Sequence, residues 1–343
     1  MQGVNSTQTI GAPIEGFAFR FDGKGGGIEI PVSDAIAAFA KPEPLSGKRA
    51  RQRGFVWLHC LRGSAPALQL AADNVIDPLV METLSADETR PRTIVYGDDS
   101  VLINLRGVNL NPGSEPEDMV SVRFWMTSAA VLGIWVRPLI ATLELVTAIR
   151  KGHCPATPGE LIARLSLRIA DNMEPVIGEL GERIDALELV SVNGSTVPHR
   201  RELAELRRSS IALRRFMSPQ RDAITTLEIE DLTWLRERDR SRLREASDRI
   251  MRMNEELEMV RERASVVHDE IMDARAERMN RQMVILSVVA AIFLPLSLLA
   301  GMLGMNVGGI PGLHDPHAFL VISAAMLAIA VALALAFRWF RVI

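Results

Sequence analysis

The strongest pattern in the chain is a loss of polar positions near its C-terminal end. No charged side chain occurs between residues 282 and 313, and Ser287 and Ser297 are the only polar side chains within 283–303. A helix of about 20 apolar residues matches one bilayer thickness, so residues 282–303 are expected to form a transmembrane helix. A second uncharged run predicts another over 317–337, with 304–316 as the loop between them. A buried hairpin of a soluble protein rarely stays charge-free over two such lengths. Arg275, Arg278 and Arg281 precede the first run, Arg338 and Arg341 follow the second, and the loop has no Lys or Arg. This asymmetry puts both termini, including the tail 338–343, in the cytoplasm and the loop outside. Two helices of one chain cannot enclose an aqueous path, so any conduction requires oligomerisation.

Upstream, the pattern changes to short runs rich in β-branched and aromatic residues. Strands are predicted at 17–21, 54–60, 93–96, 101–108, 120–126 and 131–136, separated by Gly, Asp, Asn or Pro turns. Helices at 65–72 and 76–84 interrupt them. This gives an α+β cytoplasmic domain, a sheet flanked by helices, over residues 1–155. After Pro155 the strand signal vanishes, and a helical domain over 156–228 is expected, with helices at 158–190 and 198–217. Breaks are predicted at 191–198 and at the Ser218-Pro219 step. A stalk helix over 229–281 then runs into the membrane. Between Ile229 and Leu303 the only proline is Pro295, so one helix of some 70 residues and on the order of 100 Å is implied. Pairs at i,i+4 such as Glu245 with Arg249, Asp248 with Arg252 and Glu277 with Arg281 would support it.

One face of that helix is distinctive. Asn280, Met283, Ser287, Ala290, Leu294, Ser297, Gly301 and Gly304 recur at alternating steps of three and four, which aligns them in one stripe. Continued backwards the stripe meets Asp273, Asp269, Val266, Glu262, Met259, Glu255 and Asp248, five of them acidic. Small residues pack helices closely in lipid, and acids often form a solvated face. A shared axis with carboxylates attracting cations at the cytoplasmic mouth explains both halves of the stripe together.

Composition narrows the classes. A net charge of -3 and a pI near 6.1 argue against a nucleic-acid partner. Two cysteines, Cys60 and Cys154, are too few for a disulfide framework and fit a reducing compartment. The polar stretch 1–16 has no basic or apolar region of a secretory signal. No Walker loop, suitable GxGxxG or Ser/His/Asp arrangement points to an enzyme or a nucleotide-driven pump, and no cofactor is expected.

The first run ends in Gly301-Met302-Leu303-Gly304-Met305-Asn306, followed by the uncharged residues 307–312. Gly-Met-Asn directly after a Pro-containing transmembrane helix resembles the signature of the CorA metal ion transporter superfamily. The whole organisation fits as well: two C-terminal spans, a short loop, a long stalk and an N-terminal α/β domain. Magnesium channels of that superfamily carry an aromatic residue before the tripeptide and an acidic loop after it. Here Leu303 and the uncharged loop stand in those places, and the loop looks like that of the ZntB zinc-transporter branch.

The resemblance implies a CorA-like funnel: a homopentameric, proton-linked Zn2+ transporter of a bacterial inner membrane, with uptake the favoured direction. It implies that Gly304, Met305 and Asn306 form the outer filter, with the Asn306 carbonyl facing a hydrated cation. It further matches Asn280, Met283, Leu286, Leu294 and Ser297 to pore-lining or gating positions, and Asp269 to an acidic position in the funnel. A ring of neutral amides can hold the water shell of a divalent ion and still release it. Direct zinc ligation needs His, Cys or carboxylate, and the stripe has none between Asn280 and Asn306.

Other candidate metal ligands lie apart from the stripe. His314, Asp315 and His317 fall in the outer loop, where they could concentrate metal; His153 with Cys154, and His268 beside Asp269, could contribute to cytoplasmic sites. His59 and Cys60 are expected to be structural, because strand neighbours point to opposite faces. A magnesium or cobalt channel is the nearest alternative, and a membrane-anchored scaffold or sensor without transport is the alternative from another class.

Overall fold

The computed structural model describes residues 15–40, 54–73, 75–87, 90–97, 99–192, 199–305, 307–308 and 316–339. Two compact units divide the chain, Met1–Ser265 and Val266–Ile343.

In the first unit, seven strands form one sheet: β1 (Gly16–Phe21), β2 (Gly27–Glu29), β3 (Val56–Leu61), β4 (Arg92–Tyr96), β5 (Ser100–Gly107), β6 (Val120–Met126) and β7 (Ala130–Trp135). Their order is β2-β1-β3-β7-β6-β5-β4, and β3 and β7 form its one parallel pair. Strand alternation decides what each face holds. Ala18, Val56, Leu58, Cys60, Leu132 and Ile134 pack with α1 (Val32–Ala40), α2 (Ala65–Ala72) and α3 (Pro78–Ser85). The opposite face carries Phe17, Phe19, Phe21, Trp57, His59, Phe124 and Trp135, all buried. Every strand read from the sequence is present. β2, α1 and α4 (Ile140–Arg150) are additional. The three residues of β2 are all exposed and carry no alternation, whereas α1 buries Ala35, Ile36 and Phe39 at helical spacing.

Three long helices follow: α5 (Pro158–Val192), α6 (His199–Ile229) and α7 (Glu237–Leu303). The break expected at Ser218-Pro219 does not occur, because α6 continues through Pro219. Tertiary contacts outweigh the local cost of the proline. The Gln220 side chain accepts from the Arg106 backbone N–H at 2.7 Å and donates to the Arg106 carbonyl at 2.6 Å, while Thr93 Oγ1 donates to the carbonyl of Ala223. These bonds pin α6 to β5 and β4 directly after the proline, and the Arg106 guanidinium lies over the Phe216 ring before it. The chain breaks later, over 230–236, so α7 begins at Glu237 and not at Ile229. Asp99 holds that break in place by accepting from the Thr233 N–H and hydroxyl, and its carbonyl accepts from Trp234 Nε1.

Within this unit α7 runs parallel to α5 and antiparallel to α6, as its ion pairs record. Arg242 meets Glu160, Arg249 meets Asp171 and Glu174, and Arg263 meets Asp185 and Glu188, all on α5. On α6, Glu228 pairs with Arg244, and Arg214 with Glu258. Arg249 therefore reaches across to α5 and not along its own helix to Glu245. Beneath these pairs Leu243, Ala246, Ile250, Met253, Leu257, Val260 and Ala264 form a buried seam at steps of three and four.

The second unit contains the remainder of α7 and α8 (Ala318–Trp339). Both helices are long and apolar enough to cross a membrane.

Candidate functional site

The candidate cation path is built on α7, whose sequence writes two faces at nearly the same period. In the first unit the seam of Leu243 to Ala264 is buried, while Asp248, Glu255, Met259 and Glu262 are exposed. At 100° per residue these positions lie about half a turn from the seam, on the face α7 turns away from α5 and α6. The acids are thus not consumed by ion pairs with the bundle, whose partners are the arginines on the flanks of the seam.

In the second unit the chain itself shields much less of the helix. Val288 is buried, and Val284, Ile292 and Leu296 are half-buried, which makes one shielded row at steps of four. Asn280, Met283, Ser287, Ala290, Leu294, Ser297 and Gly301 are all exposed, as are Ile285, Val289, Phe293 and Leu298 on the rest of the helix surface. Leu286, included through the family resemblance, is exposed beside this stripe. Asp269 and Asp273 are exposed as well. The helix carries Pro295 in its interior and ends after Leu303, where the N–H of Gly304 donates to the carbonyl of Ala300 at 2.9 Å. A Cβ at Gly304 would sit 3.2 Å from that carbonyl oxygen, so the exit from the helix is tight there. A Cβ at Gly301 would meet no described atom within 4 Å. Gly304 and Met305 are exposed; Asn306, His314 and Asp315 lie outside the described residues.

The cytoplasmic ligand candidates are placed apart. His153 is exposed beside Lys151, Arg164, Arg168 and Arg242, a setting that repels a dication. Cys154 turns inward: its thiol is buried, contacts the carbonyl of Ile149 at 3.6 Å, and has its pKa raised chiefly by that burial. The pair does not share a site. His268 is half-buried and Asp269 exposed, as expected of helix neighbours a hundred degrees apart. His317 is exposed at the start of α8. Among the described residues no three His, Cys, Asp or Glu side chains gather in a way that could hold a metal.

His59 and Cys60 belong to the core. The imidazole stacks on Phe17 with centroids 5.1 Å apart and meets the edges of Trp135, Phe124 and Trp57. Neither ring nitrogen has a hydrogen-bond partner among the described residues. Burial pushes its pKa down to about 3, and pushes the Cys60 thiol up to about 12. Gly133 makes the room, since a Cβ there would come within 2.1 Å of Nδ1.

The sequence reading did not find the cross-helix pairs of Arg242, Arg249 and Arg263. Their spacing by multiples of seven was visible, but their partners lie some 75 to 82 residues away on α5. Glu160 anchors the first of them. Desolvation raises its pKa, but the Ala156 N–H and the guanidiniums of Arg242 and Arg164 outweigh this and hold the carboxyl at about 2.

Comparison with known proteins gives consistent results. The family profile described as CorA-like Mg2+ transporter protein matches residues 52–339. The divalent cation transporter CmaX of Pseudomonas aeruginosa is 36% identical over 305 residues, covering 88% of this chain and 89% of that protein. The zinc transport protein ZntB of Pectobacterium carotovorum is 34% identical over 304 residues, covering 88% of each. The structure of full-length CmaX superposes with a TM-score of 0.79 at 34% identity, covering 95% of this chain and 98% of that one.

Proposed function

Because the chain belongs to the family of CorA-like Mg2+ transporter proteins and is a divalent cation transporter of the CorA and ZntB type, we propose that it moves hydrated Zn2+ along the exposed stripe of α7. One observation carries this reading: the stripe of α7 that recurs at steps of three and four, acidic before the apolar span and rich in small or polar residues within it, is left exposed by the chain's own packing along its length. Lipid would favour large apolar side chains on an outward face. A helix that leaves Asn280, Ser287, Ser297 and Gly301 uncovered by its own chain is suited to facing an axis shared with other copies. A homopentamer in a bacterial inner membrane, with both termini cytoplasmic, is the assembly the family resemblance implies. Asp248, Glu255, Glu262, Asp269 and Asp273 then raise the local cation concentration at the inner mouth. Gly304, Met305 and Asn306 form the outer filter, where neutral amides hold the hydration shell without stripping it.

Zinc is favoured by the uncharged residues 307–312 and by zinc transport proteins among the relatives. Proton linkage and uptake complete the proposal. Magnesium is the second reading, supported by the family's own description. Purified protein in proteoliposomes separates them by Zn2+ against Mg2+ flux, with and without a pH gradient. We expect Zn2+ flux that rises with an inward proton gradient and falls at least about tenfold in Asn306→Ala, the loss corresponding to one polar contact of about 1.4 kcal/mol. Mg2+ flux driven by membrane potential and indifferent to pH would refute the zinc reading.

A further inference from the structure

A cavity of about 680 Å3 opens in the first unit between the end of α4, the first turns of α5 and the start of α7. That volume lies in the usual range for small-molecule sites. Its chemistry is one-sided. Lys151, Arg164, Arg168 and Arg242 converge on it, with His153 at the same wall. Two carboxylates oppose them: Glu144 on the lining, and Glu160, which pairs with Arg164 at 2.7 Å and Arg242 at 3.0 Å. A third acid, Asp239, interacts with Glu160 and Arg242, so four cations against three acids leave one positive charge in excess.

The arrangement is also partly fixed before anything binds. Glu160 holds two of the guanidiniums, and Arg164 further donates to the carbonyl of His153 at 2.8 Å. Lys151 and Arg168 have no acidic partner among the described residues. Preorganised guanidiniums suit oxyanions, which they engage with two parallel N–H bonds. The cations arrive from three helices, so a single small anion cannot meet them all. Leu143, Thr147 and Ala148 supply the rest of the wall, and no Phe, Tyr or Trp ring is among the described lining residues.

We propose that this cavity binds a small polyanion of the polyphosphate class, with Lys151 and Arg168 as its principal contacts. The site is separate from the cation path and does not depend on which ion that path carries. Because Arg242 belongs to α7, the occupant touches the helix that also carries the first apolar span.

Titration calorimetry of the full-length protein in detergent, with sodium tripolyphosphate, chelator and salt near the physiological ~0.15 M, tests this. One saturable site per chain is expected. Lys151→Gln combined with Arg168→Gln should weaken it by at least about tenfold, as for loss of charge-assisted contacts, without moving the thermal midpoint of the unliganded protein. Thr147→Trp, which fills the cavity and leaves its charge intact, should lower affinity likewise. Arg200→Gln combined with Arg207→Gln, equally basic but on α6, should leave binding unchanged. Absence of saturable binding, an equal loss in the α6 variant, full binding in Thr147→Trp, or tighter binding of citrate than of tripolyphosphate would each overturn the proposal.

Discussion

His59 offers a sharp test of the sheet core, because its burial without a hydrogen-bond partner among the described residues makes stability depend on pH in a calculable way. The folded imidazole has a pKa near 3, and the unfolded one returns to the ordinary value near 6.5. Between these values the unfolded chain binds one more proton than the folded chain, so stability rises with pH across that window and falls as the pH drops. From about pH 7.5 to about pH 5 this single group removes roughly 2 kcal/mol, since each pKa unit is worth about 1.4 kcal/mol. His59→Phe deletes the titration and keeps an aromatic ring among Phe17, Phe124 and Trp135. Its extra bulk against Gly133 will lower stability at every pH, but the quantity of interest is the slope. Urea unfolding of the full-length protein, followed by tryptophan fluorescence, reads that slope with Trp57 and Trp135 as neighbouring reporters. We expect the wild type to lose about 2 kcal/mol more than His59→Phe over this range. Parallel pH dependence in the two proteins would show that the imidazole is not held neutral in a dry core.

Two further predictions concern other packing and charge contacts in the first unit. Gly133→Ala places a methyl group 2.1 Å from His59 Nδ1, and should destabilise the unit by about 3 kcal/mol or more in the same urea assay, as overpacking of a rigid core does. Glu160→Gln leaves Arg164 and Arg242 without their carboxylate, and should cost about 2–3 kcal/mol near neutral pH, given that the side chain is only 14% exposed. Because the folded carboxyl titrates at about 2, its contribution is complete above the ordinary carboxylate range and is lost as the pH falls toward 2. The gap between wild type and Glu160→Gln should therefore close in acid, and a constant gap would assign the cost to packing.

Much of the fold was legible in the chain. The two spans declare themselves because a bilayer acts on about 20 consecutive residues at once, and nothing later in the sequence can alter that count. The strands 120–126 and 131–136 were legible for a similar reason, as pleating sorts neighbours to opposite faces. The stripe from Asp248 to Gly304 could be drawn from period alone. Its opposition to the buried seam could not, because a helix with two periodic faces does not state which one its own chain will cover. Packing against α5 and α6 decided it.

The sequence by itself determined the membrane character, the helical stalk, the Gly304-Met305-Asn306 motif and the positions of the candidate path. Tertiary structure decided what depends on distant partners. Pro219 should end a helix by local rules, yet Arg106 contacts Phe216 before it and Gln220 after it, and Thr93 holds the next turn to the sheet. Arg249 had an acid one turn away at Glu245, but Asp171 and Glu174 won the pairing because the bundle places them on a flank of the seam. His153 looked like a metal ligand until Arg164, Arg168 and Arg242 surrounded it with positive charge. In each case the local signal was real, and a contact made across the fold outweighed it.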